Sequence, residues 1–408
     1  MALKFFYLMK DNIGEAYTAL GRTRQVFIMW LFALATIPIF DFGTISLSFV
    51  FGAALIITSL KDYRFFIVPR GLTSFLLLFV VVALIGLAIT EVPATKTTPV
   101  RALQLVYWFL LAVFVYNTYE HLDKILLSKV VFIAAILFVS LDLIFNFNSQ
   151  NGIAFTVIIM GPLGYFFPKK YFHKLIYVLL LMFLMLLNGS RTGAVLVFVQ
   201  TILFLLLFTP RLSRYAKTLL FTILILAVNL NITPVRVAVG KMISPVNERV
   251  GELLINSDKV FRNDMSWLQR RAQVNKGKQI FKLHPVLGIG IFNFSRYDID
   301  IDVSNIDTDR KMIRNIDNRS AHNSYVAILS ETGFLGFSAI ILMFASALWP
   351  FIRKLNLIGG TFEGCIFIST IGMLVYFYTI SSFFGTSSWI MYGLILGASA
   401  KIKWGYTD

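Results

Sequence analysis

The chain has 408 residues, 57% of them hydrophobic and 14% charged, with a mean hydropathy of +0.76. A soluble domain carries charge on about a quarter of its residues, so this composition excludes one and points to a polytopic membrane protein. The net charge of +16 would suggest a nucleic-acid partner in a soluble protein, but here the basic residues fall mostly in alternate loops, which reports orientation and leaves no nucleic acid to invoke.

A span needs roughly 20 apolar residues. Windows of that kind recur at 26–40, 45–60, 72–90, 100–118, 125–147, 152–168, 174–188, 190–208, 216–233, 324–349, 362–383 and 387–400. The expected fold is an all-α polytopic membrane protein of about twelve transmembrane helices. Windows 174–188 and 387–400 are short, and Asn188-Gly189-Ser190 alone separates two of the spans. The first apolar run follows a charged stretch and lacks a small-residue cleavage site, so it reads as a retained span.

Lys4, Lys10, Arg22 and Arg24 precede the first span, and Lys61, Arg64 and Arg70 follow the second. Lys169, Lys170 and Lys174 follow the sixth, Arg211, Arg214 and Lys217 the eighth, Arg353 and Lys354 the tenth, and Lys401 and Lys403 the last. By the positive-inside rule all of these face the cytoplasm, both termini with them. The connections Asp41–Thr44, Asn146–Asn151 and Ser381–Thr386 carry no Lys or Arg, as translocated turns should. The single cysteine, Cys365, lies in the eleventh span and is expected only to pack.

One basic, polar interval breaks the hydropathy, from about Asn231 to Asn323. The expected organisation is therefore helices 1 to 9 over 1–230, an outward loop domain over 231–323, and helices 10 to 12 with a short cytoplasmic tail over 324–408. Within the loop, Val235, Val237, Val239, Met242 and Ile243 fit a strand or an interfacial helix. Met265 to Leu283 reads as an amphipathic helix with a basic face, stopped by His284-Pro285. Tyr297 to Arg319 has too few apolar residues to bury and reads as a mobile surface loop.

Topology narrows the chemistry. His121 and His173 fall in cytoplasmic connections, which leaves His284 and His322 outside. His322 immediately precedes the tenth span, where an imidazole of ordinary pKa near 6.5 suits proton transfer; equally, His322-Asn323 could simply cap that helix. Ser190 can cap the eighth helix and place Arg191 in its first turn, where a cation is unfavourable unless an anion offsets it. Free helix N–H groups, Gly189 and Arg191 thus form a candidate phosphate or carboxylate cradle. Alternatively Arg191 snorkels to head groups or pairs with Asp142. Arg101 and Gln104, at the outer end of the fourth helix, are weaker members of the same set. Arg270 and Arg271, followed by Lys276, Lys278 and Lys282, offer bidentate grips for a diphosphate, or a solvated basic face.

Other patterns weigh less. Gly288-Ile289-Gly290 lacks a dinucleotide fingerprint's third glycine and reads as a turn. Asp298, Asp300 and Asp302 alternate but lack the rest of a calcium loop. Glu331, well inside the tenth helix, is costly there and so functional or paired; it lies on nearly the opposite face from His322. Gly333 and Gly336 suggest close helix contact.

Together these residues resemble the superfamily of O-antigen ligases and polymerases, bacterial envelope glycan transferases. The resemblance is carried by Asn188-Gly189-Ser190-Arg191-Thr192-Gly193, by Arg270 or Arg271 followed by His284-Pro285-Val286-Leu287-Gly288-Ile289-Gly290-Ile291-Phe292-Asn293-Phe294, and by Ala321-His322-Asn323-Ser324-Tyr325 leading to Glu331-Thr332-Gly333-Phe334-Leu335-Gly336. It extends over about 175 to 345. It implies transfer of a glycan from undecaprenyl pyrophosphate to an acceptor sugar hydroxyl, such as one on the lipid A core, at the periplasmic face of the bacterial inner membrane. By that analogy His322 activates or positions the acceptor while Arg191 and Arg270 hold the leaving pyrophosphate, with Arg271, Ser190, Asn323 and Arg101 as further pyrophosphate or glycan contacts. No nucleotide sugar, metal or other cofactor is implied; the partners are the lipid-linked donor, the acceptor and membrane lipid. One dominant outer loop between the ninth and tenth spans favours a ligase over a repeat-unit polymerase. A transporter of lipid-linked sugars is a different class, expected to show inverted repeats and short loops, which this chain lacks. A non-catalytic assembly partner is a third.

Overall fold

A computed structural model describes residues 21–36, 41–42, 45–60, 63–66, 72–93, 98–145, 150–187, 190–208, 233–246, 248–256, 265–299, 321–379 and 383–404. Its helices are α1 (Gly21–Thr36), α2 (Leu47–Ser59), α3 (Leu72–Ile89), α4 (Thr98–Thr118), α5 (Lys124–Phe145), α6 (Gln150–Met160), α7 (Tyr171–Leu187), α8 (Arg191–Phe208), α9 (Thr233–Ile243), α10 (Glu248–Ile255), α11 (Met265–Leu283), α12 (Ser324–Arg353), α13 (Phe362–Tyr376) and α14 (Thr386–Trp404). Every apolar window overlaps one of these helices except 216–233, which falls almost wholly outside the described residues. The fold is helical as expected, with one addition: Asp41–Phe42 and Ile45–Ser46 form a two-residue antiparallel ladder, Asp41 opposite Ser46 and Phe42 opposite Ile45.

Among the described residues, three helical stretches are long and apolar enough to cross a membrane: Thr98–His121, Lys124–Leu141 and Ser324–Arg353. Leu47–Ser59, Thr73–Ile89, Gly152–Phe166, Tyr171–Leu187, Thr192–Phe208 and Phe362–Tyr376 are shorter apolar helices. With no hydrophobic drive between helices in lipid, packing and satisfied polar groups must hold them together. The chain accordingly brings α4 against α14, α12 against α3, and α13 against α6 and α8. Aromatic rings fill the centre: Trp389 stacks on Trp108 at 6.2 Å, and Phe383 lies against Phe79 at 5.4 Å and Tyr392 at 5.2 Å.

α13 has two chemically different ends. At its start the Glu363 carboxylate accepts from the Tyr119 hydroxyl at 2.9 Å and from Lys124 Nζ at 3.1 Å, with Lys401 Nζ at 3.5 Å. Lys354 Nζ donates to the Ile402 carbonyl at 2.6 Å close by in the chain. Burying this carboxylate is tolerable because two ammonium groups and a hydroxyl replace its water. α8 runs antiparallel alongside: a Cβ on Gly359 would lie 2.6 Å from the Leu207 carbonyl, whereas Ser190 meets Tyr376 at the opposite end.

At that Tyr376 end α12 is not one helix. Gly333 breaks it, with φ 61° and ψ −165°, a region that essentially only glycine occupies. The first part, Ser324 to Thr332, is therefore a separate short rod. Breaking a helix frees backbone groups, and the turn after α11 satisfies them: Ile289 and Gly290 N–H donate to the Ser330 and Glu331 carbonyls at 3.0 and 2.9 Å, and Phe334 N–H donates to Pro285 O at 2.8 Å. The approach is close enough that a Cβ on Gly333 would collide with Val286 and one on Gly288 with Glu331. The expected helix contact through Gly333 is thus corrected: its absent side chain admits a turn of the loop. Gly336 faces Thr332 of its own helix. The Gly288-Ile289-Gly290 turn is as read from the sequence, with φ of 66° at Gly288 and 83° at Gly290.

In the interval before α12, the open choice after Thr233 resolves to helix, since α9 covers it. α10, unforeseen in the sequence, packs on α9 through glycines: a Cβ on Gly240 would lie 3.0 Å from the Gly251 carbonyl. α11 occupies Met265–Leu283 and ends before His284-Pro285, as read. Most of the stretch read as a surface loop, 300–319 of Tyr297 to Arg319, lies outside the described residues, and Asp300 and Asp302 with it. Its start is not loose: Tyr297 and Ile299 pack on a small core of Ile280, Ile289, Phe294 and Ala321.

Candidate functional site

Ser190 is buried, and its hydroxyl accepts from Gly193 N–H at 3.2 Å while its carbonyl accepts from Ala194 N–H at 3.0 Å. It therefore caps α8, and Arg191 takes the first helical position, where the backbone N–H groups have no intrahelical acceptor. For Arg191 the described part is the backbone, and the Asp142 side chain considered as its partner also lies outside the described residues. The Ser190 hydroxyl also shares a hydrogen bond with the Tyr376 hydroxyl.

Tyr376 gathers the site. It is 1% exposed at the last residue of α13, and Arg270 lies within its electrostatic reach. Arg270 is half-buried whereas its neighbour Arg271 is exposed. The helical period explains the difference. Leu268, Ala272, Gln273, Lys276, Gly277 and Ile280 form the buried face of α11, which packs on α12. Arg270 borders that face, and Arg271 points away from it. The doubled arginine is in this way separated by structure: Arg270 joins Ser190 at Tyr376.

The third segment arrives one residue beyond Tyr376. Ser324 N–H donates to the Phe377 carbonyl at 2.7 Å, and the Tyr325 hydroxyl donates to the Leu374 carbonyl at 2.6 Å. Asn323 supplies the cap, its side-chain oxygen accepting from Val326 N–H at 3.1 Å. His322 precedes the cap. It is half-buried with φ 45°, a left-handed conformation uncommon for a side-chain-bearing residue and held only where surroundings dictate it.

Arg101 stands apart from this meeting point. Its guanidinium donates to the Phe292 carbonyl at 2.7 Å, lies 5.4 Å above the Phe292 ring and faces Glu331. Glu331, 4% exposed, accepts from Phe294 N–H at 2.9 Å, with the N–H groups of Phe292 and Asn293 within its electrostatic reach. The acid is thus held by a backbone donor with a nearby cation, and it anchors the turn. His284 likewise works locally: its Nε2 lies 2.8 Å from the Tyr297 hydroxyl, which burial and the charge of Glu91 push above its ordinary pKa.

Two residues escaped the sequence reading. Tyr376 sits at the end of an apolar run, where a tyrosine looks like an interfacial anchor, and only the antiparallel pairing of α8 and α13 brings it to Ser190. Gln273 is 0% exposed with neither side-chain polar atom partnered, one turn from Arg270. Its signal was available, since the spacing 270, 273 and 276 puts three polar groups on one helical side.

Residues 175–342 match the family model described as O-antigen ligase. That span holds α8, α11, the turn after it and the first part of α12, and so covers the three segments that meet at Tyr376, but not α13 itself. No curated protein matches the chain.

Proposed function

We propose that this multi-pass membrane protein, whose residues 175–342 match the O-antigen ligase family model, transfers a glycan from undecaprenyl pyrophosphate to a sugar hydroxyl of the lipid A core. The observation that carries the proposal is the convergence of Ser190, Arg270 and the His322 segment on the Tyr376 end of α13. One further fact supports an outward, periplasmic site. The basic residues Lys124, Lys354 and Lys401 gather at the Glu363 end, where the positive-inside rule would put the cytoplasm. On this reading the Tyr376 end is the outer one, both termini lie inside, and 231–323 is the outward interval at the inner membrane.

In this mechanism His322 accepts the proton of the acceptor hydroxyl as that oxygen bonds to the anomeric carbon. The bond from the anomeric carbon to the diphosphate oxygen breaks, and its electron pair leaves with undecaprenyl pyrophosphate. Charge grows on the diphosphate, so cations placed there act where they are strongest, in the transition state. Arg270 and Arg191, the latter at the positive end of α8, fill that role. Attack opposite the leaving lipid inverts the anomeric centre. Ser190 and Asn323 hold the helix ends that carry Arg191 and His322, and Arg101 anchors the turn.

The test is a deletion strain complemented with His322→Ala and Arg270→Ala, with envelope polysaccharide followed by electrophoresis. Long chains left on the lipid carrier and missing from the core establish the ligase. Core bearing a single repeat turns the assignment to a polymerase of the same superfamily. Donor trapped on the cytoplasmic side overturns transfer altogether and makes the chain a flippase.

A further inference from the structure

The first part of α12 carries His322 at its start and Glu331 near its end, about 12 to 14 Å apart at 1.5 Å per residue. Everything that touches this rod bears on the site. Its start is tied to α13 through Ser324 N–H and Phe377 O at 2.7 Å. Its flank meets α11 so closely that a Cβ on Gly277 would collide with Val326. Its far end is tied to the turn that leaves α11, through two backbone bonds and through Glu331, which accepts from Phe294 N–H at 2.9 Å. α11 carries Arg270. The rod therefore touches both the helix of Arg270 and the stretch of chain holding His322, and Gly333 interrupts it from the rest of α12, so its orientation depends on what holds its far end.

We propose that Glu331 is a positioning residue for glycan transfer: by clamping the Phe292–Phe294 turn to the end of the rod, it sets the separation of Arg270 and His322. The inference rests on the transferase reading above. Neither the break nor the carboxylate is explained by span formation. An unbroken helix would satisfy its own backbone, and an apolar residue would cost nothing in lipid. A geometric role explains both, since the break lets the rod be oriented independently and the carboxylate holds the Phe294 N–H and so the turn at one point. Arg101 secures the same turn from α4, donating to Phe292 O at 2.7 Å. Thr90 reaches it from beyond α3 through the Ile289 carbonyl.

The experiment uses the full chain in nanodiscs, with undecaprenyl-pyrophosphate-linked glycan extracted from the deletion strain and core–lipid A from the same cells. Glu331→Gln keeps the shape but turns an amide donor toward backbone donors. Its kcat should fall about 100-fold, the effect of misplacing reacting groups by about 1 Å, while the KM for donor stays within about threefold. Glu331→Asp should recover part of the loss. In parallel, spin labels at Lys278→Cys and Tyr378→Cys, in a Cys365→Ala background, report the distance between α11 and the end of α13. That distribution should be narrow in the parent and broad in Glu331→Gln. A normal kcat per folded molecule, or an unchanged distribution, overturns the proposal. If Glu331→Gln fails to fold, Arg101→Met loosens the same turn and must give the same pair of changes. Absence of transfer by the parent would defeat the transferase reading, and the spin-label arm would still decide whether Glu331 positions the rod.

Discussion

The hydroxyls of Ser190 and Tyr376 are hydrogen-bonded across two antiparallel helices, so the cap of α8 and the end of α13 form a single polar point beside Arg270. Removing the tyrosine hydroxyl leaves the Ser190 cap of Gly193 intact but frees that point. Tyr376→Phe should fold normally and lower the transfer rate on the order of fivefold, the worth of about one net hydrogen bond. Steady-state turnover on the extracted donor, normalised to folded protein, checks this; an unchanged rate would mean the bond only packs the helices.

Arg270 and Arg271 are adjacent in sequence and unlike in burial. Loss of one positioned donor to a developing charge costs about 100- to 1,000-fold in rate, and Arg270→Ala should show it. Arg271→Ala should stay within about threefold, as exposed charges usually do. Reversal of the two effects in the same turnover assay would transfer the diphosphate role to Arg271.

Asn323, and not His322, caps the first part of α12, a distinction the sequence could not make. Asn323→Ala should lower stability by about 1 kcal/mol through the lost cap, with Asn323→Ser largely restoring it. At His322, with φ 45°, glycine relieves a strain that alanine keeps, so His322→Gly should be more stable than His322→Ala by about 1 kcal/mol while both lose at least about 100-fold in transfer. Thermal unfolding in detergent alongside turnover separates these outcomes, and equal stability of the two His322 variants would argue against strain.

Gln273 buries an amide with neither polar atom partnered. A group left in that condition costs about 1–3 kcal/mol, so Gln273→Met, of similar volume, should raise the unfolding temperature. A drop in its unfolding temperature would show that the amide has a partner in the membrane-embedded protein.

Much was legible in the sequence for one reason: a bilayer demands apolar length, and length and hydropathy are local. The windows, the helix over Met265–Leu283 with its stop at His284-Pro285, and the cap at Ser190 follow from neighbours a few residues apart. The motif segments carrying Arg191, Arg270 and His322 were local in the same sense. Which face of α11 turns inward was not, because the basic residues ring the helix and only packing on α12 distinguishes Arg270 from Arg271.

By itself, then, the chain's composition determined a helical membrane protein with one polar interval, and its short motifs nominated arginines and a histidine in that interval. The tertiary structure decided what no spacing could: that α8 and α13 run antiparallel so that Ser190 reaches Tyr376, and that Gly333 breaks α12 to receive the turn held by Glu331. Those contacts join residues separated by 37 to 186 positions, Phe294 with Glu331 and Ser190 with Tyr376. They exist because buried backbone and polar groups without water must find partners wherever the fold brings them, a constraint that only the packed helices can resolve.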